Sequence, residues 1–197
     1  MVLVTCLLCT TSTAALSADP PYDPVPAADA PVVILLKRVK AAYDDGSFMQ
    51  ESFFTEQSLD SFFEVTAIQW LLKDGAPPGI GKVAVIKSSL IPMAGEIRVS
   101  RLIGYPDGKN GLEARTGVVT VKGIALTPDQ VTAVFGTPTE RVSTNGRRLP
   151  LRYGDPDLLI HRPWDGSSKK GASFFVADDG AINGFAVMGT APASAKQ

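Results

Sequence analysis

A short segment in the second half of the chain, LTPDQVTAVFGTP (Leu126–Pro138), contains the local signals of a complete helix of about two turns. Thr127 can cap the first free backbone amides, and Gln130, three residues on, can reach back to complete a capping box. Pro128 suits the first helical position, where no amide hydrogen is needed, and Gly136 ends the helix. Because so short a helix is unstable alone, we expect it to pack on a sheet.

The segments on both sides of this helix have the composition of β-strands. They are rich in β-branched residues and alternate partly between apolar and polar positions. Turn signals in 105–111 and at Asp179-Gly180 favour hairpins, so the sequence predicts an antiparallel sheet. The predicted strands are Lys82–Ile91, Glu96–Tyr105 and Ala114–Leu126 before the helix, and Arg147–Gly154, Asp157–Arg162, Ala172–Gly180 and Ala181–Gly189 after it.

Two amphipathic helices are predicted ahead of the sheet. The first has apolar residues at helical spacing over Val32–Tyr43 and a stop signal at Gly46. The second is expected over Thr55–Lys73, where an aromatic stripe is typical of core packing. The fold class is therefore α+β: N-terminal helices followed by an antiparallel sheet, with a short helix (about 127–135) packed on a C-terminal antiparallel sheet.

The first 18 residues have the order of a secretory signal peptide, an apolar run followed by small residues. Val2–Cys9 is too short to cross a bilayer, which takes about 20 apolar residues. We predict cleavage after Ser17, with cleavage after Ala18 as a close alternative. A basic segment is missing, since Lys37 is the first basic residue. A buried or disordered apolar tail is therefore the competing interpretation.

The rest of the chain divides by composition. Residues 19–31 are proline-rich and are expected to form a linker, followed by α+β regions at 32–125 and 126–190 and a flexible tail at 191–197. Both cysteines, Cys6 and Cys9, lie in the predicted signal peptide. A mature chain without cysteine has no disulfide or thiol nucleophile, and neither cysteine has the preceding small residues of a lipid-attachment site.

Composition and motifs give no sign of catalysis or of a cofactor. The chain has 19 basic and 20 acidic residues, so its overall charge predicts binding neither to nucleic acid nor to anionic lipid. No stable membrane insertion is expected after cleavage of the signal peptide. With His161 as the single histidine, a zinc site is not expected. Gly75–Val83 lacks the spacing of a phosphate-binding loop. We therefore predict a protein without a metal, a cofactor or an enzymatic activity.

The second half of the chain resembles a known family. The segments LTPDQVTAVFGTPTERV, LRYG and SFFVADDGAINGF, within Leu126–Met188, are similar to the pattern of the BamE (SmpA/OmlA) envelope lipoproteins and of the β-lactamase-inhibitor-protein-like fold. This resemblance implies an exported, periplasmic or secreted α+β domain that binds a protein partner and does no chemistry. The segments VVILLKRVKAAYDDGSF and ESFFTEQSLDSFF resemble the helical opening of nuclear transport factor 2-like export domains.

The candidate contact residues are basic or aromatic. Trp164 and Arg162 lie in a polar loop, and such residues are enriched where binding energy concentrates in interfaces. Arg147, Arg148 and Arg152 make the same region basic, although alternate residues of a strand point to opposite faces. We expect a non-catalytic protein-binding module whose partner is an envelope protein or an extracytoplasmic enzyme. The alternative is a small-molecule carrier or small hydrolase with a pocket between the N-terminal helices and the sheet.

Overall fold

A computed structural model describes residues 30–72, 81–104, 114–139, 151–155 and 167–192. In these ranges the chain is α+β, as the sequence predicts. The helices are α1 (Pro31–Asp45), α2 (Glu56–Phe63) and α3 (Pro128–Phe135), and two short 3-10 turns, Ser47–Met49 and Glu51–Phe54, together form what we call the 3-10 segment. The strands are β1 (Val65–Leu72), β2 (Lys82–Ser88), β3 (Glu96–Gly104), β4 (Ala114–Leu126), β5 (Leu151–Gly154), β6 (Lys169–Val176) and β7 (Ile182–Pro192).

The described strands form one seven-stranded antiparallel sheet in the order β1-β2-β3-β4-β7-β6-β5. Strands β1 to β4 form a meander, and β7 then pairs with β4 in a long ladder in which Val119 lies opposite Val187. The regions on either side of Leu126 therefore share one sheet. Among the described strands, β1 and β5 lie at the two edges of this sheet.

One face of the sheet carries the helices. Its central row of side chains, read across the strands, is buried and apolar: Ile86, Ile97, Val121, Phe185, Phe174 and Leu151. Leu35 and Leu36 of α1 and Leu59 of α2 pack into the same core with no exposed surface. Burial of this continuous apolar layer holds the helices on the sheet.

The prediction of a helix over Thr55–Lys73 was wrong beyond its first turns. Thr55 caps α2, but α2 ends at Phe63, Glu64 adopts a left-handed conformation (φ 50°), and Val65–Leu72 is strand β1. The β-branched and aromatic residues of VTAIQWLL favour a strand. The apolar residues of this segment have a spacing that fits the apolar face of a helix. The same residues also fit an edge strand in which Trp70 packs against the core.

Helix α3 has the predicted start. The side chain of Thr127 accepts a hydrogen bond from the amide of Gln130 at 3.2 Å, and the Gln130 side chain accepts one from the amide of Thr127 at 2.9 Å. Its buried residue Phe135 contacts Phe174 of β6 edge-on, with ring centroids 5.0 Å apart. The local capping signals thus place the start of α3, and the apolar face of this helix packs against the sheet.

The 3-10 segment, which was not predicted from the sequence, lies directly on the sheet. Gly117 of β4 and Gly189 of β7 are cross-strand neighbours below it. A Cβ atom at Gly117 would overlap the backbone carbonyl of Phe48, and one at Gly189 would meet side-chain atoms of Met49 and Phe48. Two adjacent glycines therefore allow the backbone of Phe48 and Met49 to approach the sheet closely.

Candidate functional site

Strand β1 forms one edge of the sheet. Among the described strands it pairs with β2 alone. In an antiparallel pair, alternate residues direct their N–H and C=O groups away from the partner strand, so an edge strand presents a row of hydrogen-bonding groups on its outer side. No backbone hydrogen bond that we observe within the described residues joins β1 to a segment other than β2. This outer side is a surface on which a further strand can pair.

The side chains of β1 do nothing to prevent such pairing. Its eight residues, VTAIQWLL, include no charged residue, proline or glycine. Exposed edge strands are usually protected by a charge, most often lysine, or by proline. Leu71 is also 49% exposed, which is unusual for a large apolar side chain on this protein. The edge is therefore both neutral and partly apolar.

Two irregularities bound the part of β1 that is regularly paired. The register with β2 shifts between Val65 and Ala67 and again between Trp70 and Leu72. Between the shifts, Ala67–Trp70 runs in continuous register with Ala84–Lys87. Bulges bend a strand and disturb its ladder, so their position at the two ends leaves the middle of β1 as the flat part of this edge.

Helix α2 fixes β1 from the core side. The indole Nε1 of Trp70 donates to Oε1 of Glu56 at 3.2 Å, and Ile68 packs against the core. The Gln69 side chain is exposed on the opposite face of the strand, and Leu71, at the second register shift, is also exposed. The edge is thus held in place by one set of side chains while another set is available to a partner.

The other edge strand, β5, is half as long as β1 and carries the one candidate contact residue that the structure describes. Arg152 is half-buried and lies opposite Ser173 of β6 on the face away from the helices. The other candidates, Arg147, Arg148, Arg162 and Trp164, lie outside the described residues, as does the predicted strand at 157–162. The described part of the chain therefore brings no two of the five candidates together.

The described apolar side chains between the helices and the sheet form a hydrophobic core. Leu59 and Phe63 of α2 have no exposed surface, and Phe63 contacts Phe53 and Phe62 edge-on. This is the position in which the carrier or hydrolase hypothesis places a pocket. The described residues at this position belong to the hydrophobic core, and the hypothesis stays a prediction.

A groove of about 540 Å³ lies on the outer side of the helices. Its only charged lining residue among those described is Arg38, which donates to the carbonyl of Phe62 at 2.9 Å and to Glu64 at 2.7 Å. No histidine, cysteine or carboxylate among the described lining residues is in place to activate a serine hydroxyl. The lining residues are Arg38, Ser47, Ser52, Phe53, Gln57, Ser58, Ser61 and Phe62.

The described residues include no group of three or more histidine, cysteine or carboxylate side chains placed to hold a metal ion. None of the described helices is long and apolar enough to cross a membrane.

Comparisons with known proteins give no relative. No protein-family model, no curated protein and no solved structure matches the chain. The inference about function therefore depends on the geometry of the chain itself.

The edge strand was not predicted as a functional candidate because residues 65–72 were expected to be helical. One signal could have identified it: an eight-residue run between Glu64 and Lys73 that has no charged residue and contains three β-branched side chains and a tryptophan. Such a run is typical of a paired strand. Its position at the edge of the sheet, however, follows from the strand order and not from the run itself.

Proposed function

We propose that this protein is an exported, non-catalytic protein-binding module of the bacterial envelope, and that it binds its partner by strand addition at β1. The observation that carries the proposal is the neutral, proline-free edge of β1, which pairs with β2 alone among the described strands. In strand addition, an extended segment of the partner pairs with an exposed edge through main-chain hydrogen bonds.

The geometry of β1 defines the segment that it suits. Within the regularly paired stretch, Ala67–Gln69 offer their outer main-chain groups to an extended segment of similar length. A net contribution of about 0.5–1.5 kcal/mol for each main-chain hydrogen bond makes even a short ladder a useful source of affinity. The exposed side chains of Gln69 and Leu71 favour a partner strand that is uncharged and has an apolar residue opposite Leu71.

The proposed location depends on the beginning of the chain. Residues 1–18 have the order of a signal peptide and 19–31 the composition of a linker, which supports export. The resemblance of Leu126–Met188 to BamE-type and β-lactamase-inhibitor-protein-like domains supports the same environment. An exported module of this kind meets envelope proteins and extracytoplasmic enzymes, and we propose that one of these supplies the pairing strand.

The proposal is tested with a charged edge. In the double variant Gln69→Lys, Leu71→Lys, two lysines stand on the exposed face of β1, where their charges and hydration oppose the approach of another strand. Met93→Lys is the matched control, since Met93 is 96% exposed in the loop between β2 and β3. Tagged wild-type protein and both variants are used to capture partners from an envelope extract of the source organism.

We expect one protein to be retained by the wild-type chain and by the Met93→Lys control but lost from the double variant. Hydrogen–deuterium exchange of the purified complex should then show new protection of amides in 65–72. Retention of the same protein by the double variant, with exchange in β1 unchanged, would refute strand addition at this edge. If β1 amides are protected in the isolated protein as its concentration rises, and sedimentation shows a dimer, the strand belongs to a second copy and the proposal of a different partner fails.

A further inference from the structure

A charged side chain lies in the core where the 3-10 segment meets the sheet. Arg101 of β3 is 4% exposed, although a guanidinium remains protonated at any ordinary pH. On the helix-covered face, its cross-strand neighbours are Lys82 of β2 and Gly117 of β4. Because Gly117 lets the backbone at Phe48 approach the sheet, the 3-10 segment covers the sheet next to this arginine.

The guanidinium of Arg101 is only partly satisfied. Its Nη2 lies 3.4 Å from Oε2 of Glu51, and the Glu51 side chain is 69% exposed. Its Nε is buried and has no hydrogen-bond partner among the described residues. Nε and Nη2 form one edge of the planar group, which is suited to two oxygens of a single oxyanion. One half of that edge has a long contact with Glu51, and the other half has none.

Two more cations lie on the same face of the sheet. Nζ of Lys82 is 3.4 Å from the main-chain carbonyl of Phe54, and Arg115 is half-buried two residues before Gly117. In the described part of the chain, we find no carboxylate paired with either of them. Lys82, Arg101 and Arg115 are here called the basic cluster. Among the described residues, this cluster has one carboxylate partner, that of Glu51, which leaves an excess of two positive charges.

We propose that the basic cluster binds a phosphate group, with the Nε–Nη2 edge of Arg101 holding two of its oxygens. A phosphate group carries about −1.5 to −2 charges near pH 7, which matches the excess charge of the cluster. A monocarboxylate matches it less well, because one carboxylate already lies at Nη2. A buried cation without a good counter-ion is strongly destabilising, so occupancy of this edge should also stabilise the fold.

In this proposal Glu51 occupies the place of the ligand. Its long contact and its high exposure show that it can turn into solvent and leave Nη2 to a phosphate oxygen. The carboxylate then competes with the ligand and repels it. Removal of the Glu51 charge should strengthen phosphate binding, whereas a purely structural ion pair predicts a less stable protein with no change in its response to anions.

The test is calorimetric titration of the full chain with inorganic phosphate, in chloride buffer of matched ionic strength, alongside titration with acetate. We expect saturable binding of phosphate, weaker binding of acetate, and at least about tenfold tighter phosphate binding by Glu51→Gln. Arg101→Lys keeps the charge but loses the two-nitrogen edge, and it should weaken binding at least about tenfold. Glycerol phosphate in place of phosphate distinguishes an organic phosphate, if it binds more tightly, from the free ion.

Controls make the outcome decisive. Arg98 is exposed on the same strand but on the opposite face, so Arg98→Gln should bind phosphate like the wild-type chain. If Arg101→Lys does not fold, the proposal is tested with Lys82→Gln and Arg115→Gln. Each of these variants removes one cation of the basic cluster and should weaken phosphate binding. Absence of saturable phosphate binding by both the wild-type chain and Glu51→Gln would overturn the proposal. Equal weakening in Arg98→Gln and Lys82→Gln would do so as well, because it would show unspecific attraction to positive charge.

Discussion

The guanidinium of Arg38 donates to the main-chain carbonyl of Phe62 at 2.9 Å, so that a residue of α1 supplies a hydrogen bond to a carbonyl group in the last turn of α2. The same side chain donates to Oε1 of Glu64 at 2.7 Å, and Glu64 is the residue that separates α2 from β1. The last turn of a helix leaves carbonyl groups without partners, and cations near it are favourable. Arg38 therefore helps to set where the helix stops and where the candidate edge strand begins.

Replacement of Arg38 should destabilise this junction. Arg38→Met keeps most of the aliphatic stem but removes the hydrogen bonds to Phe62 and Glu64, and we expect a loss of about 1–2 kcal/mol in the free energy of unfolding. The measurement is urea denaturation followed by circular dichroism. Lys37→Met, at an exposed neighbouring position of α1, is the control and should change the midpoint little. Equal losses in the two variants would show that Arg38 does not anchor α2.

Stability should depend on pH through Glu64. A hydrogen bond from the Ser89 hydroxyl and then one from Arg38 lower the pKa of Glu64 below its ordinary value. A group whose pKa is lower in the folded chain adds stability that is present above its unfolded pKa and is lost as the pH falls through its folded pKa.

We therefore expect the wild-type chain to be more stable than Glu64→Gln at neutral pH, with the difference disappearing in acid. Urea midpoints of the two proteins, measured from neutral pH to below the ordinary carboxyl range, provide the check. A difference that stays constant over this range would mean that the charge of Glu64 contributes nothing.

The two glycines below the 3-10 segment should differ in their tolerance of alanine. At Gly117 the added Cβ meets the backbone carbonyl of Phe48, which cannot move without displacing the segment. At Gly189 it meets side-chain atoms, Sδ of Met49 at 2.5 Å and Cζ of Phe48 at 2.7 Å, which can rotate. We expect Gly117→Ala to cost about 3 kcal/mol or more and Gly189→Ala about 1–2 kcal/mol in unfolding free energy. Thermal denaturation of both variants gives the order, and the reverse order would contradict this packing.

The cap of α3 can be tested in isolation. Thr127→Val keeps the shape of the side chain but removes the oxygen that accepts from the Gln130 amide, and it should cost about 1 kcal/mol. Thr132→Val, within the same helix, is the control for the loss of a hydroxyl. Chemical denaturation should show a clear loss only at Thr127. A similar loss at both positions would indicate that the hydroxyl at the cap has no special role.

The start of α3 could be predicted because its signals lie within a few consecutive residues. Thr127, Pro128 and Gln130 act on neighbouring backbone groups, so distant parts of the fold do not alter their meaning. The end of α2 was different. Trp70 and Leu71 fit a helical stripe in sequence, and the competing β-branched signal is supported by contacts that the sequence does not show. These contacts are those of Arg38 in α1 with the end of α2 and the ladder of β1 with β2.

The candidate sites depend still more on distant contacts. The 3-10 segment has no strong local pattern and is accommodated by Gly117 and Gly189, which come from two other strands. Alternation places Arg101 on the same face of β3 as Ile97 and Val99, but the local sequence does not show what surrounds it, because Glu51 and Gly117 approach it only in the folded chain. The edge position of β1 likewise follows from strand order, which alternation of residues along one strand does not encode.

The pairing of β4 with β7 also governs the order in which the molecule can form. The meander from β1 to β4 consists of neighbouring segments, whereas the ladder that joins Val119 to Val187 closes a long loop of chain. Closure of so long a loop slows folding, so we expect the pairing of β4 with β7, in the middle of the sheet, to form late. Until β7 arrives, β4 is itself an unpaired edge, and the nascent chain is exposed to aggregation along the strand that later becomes the centre of the sheet.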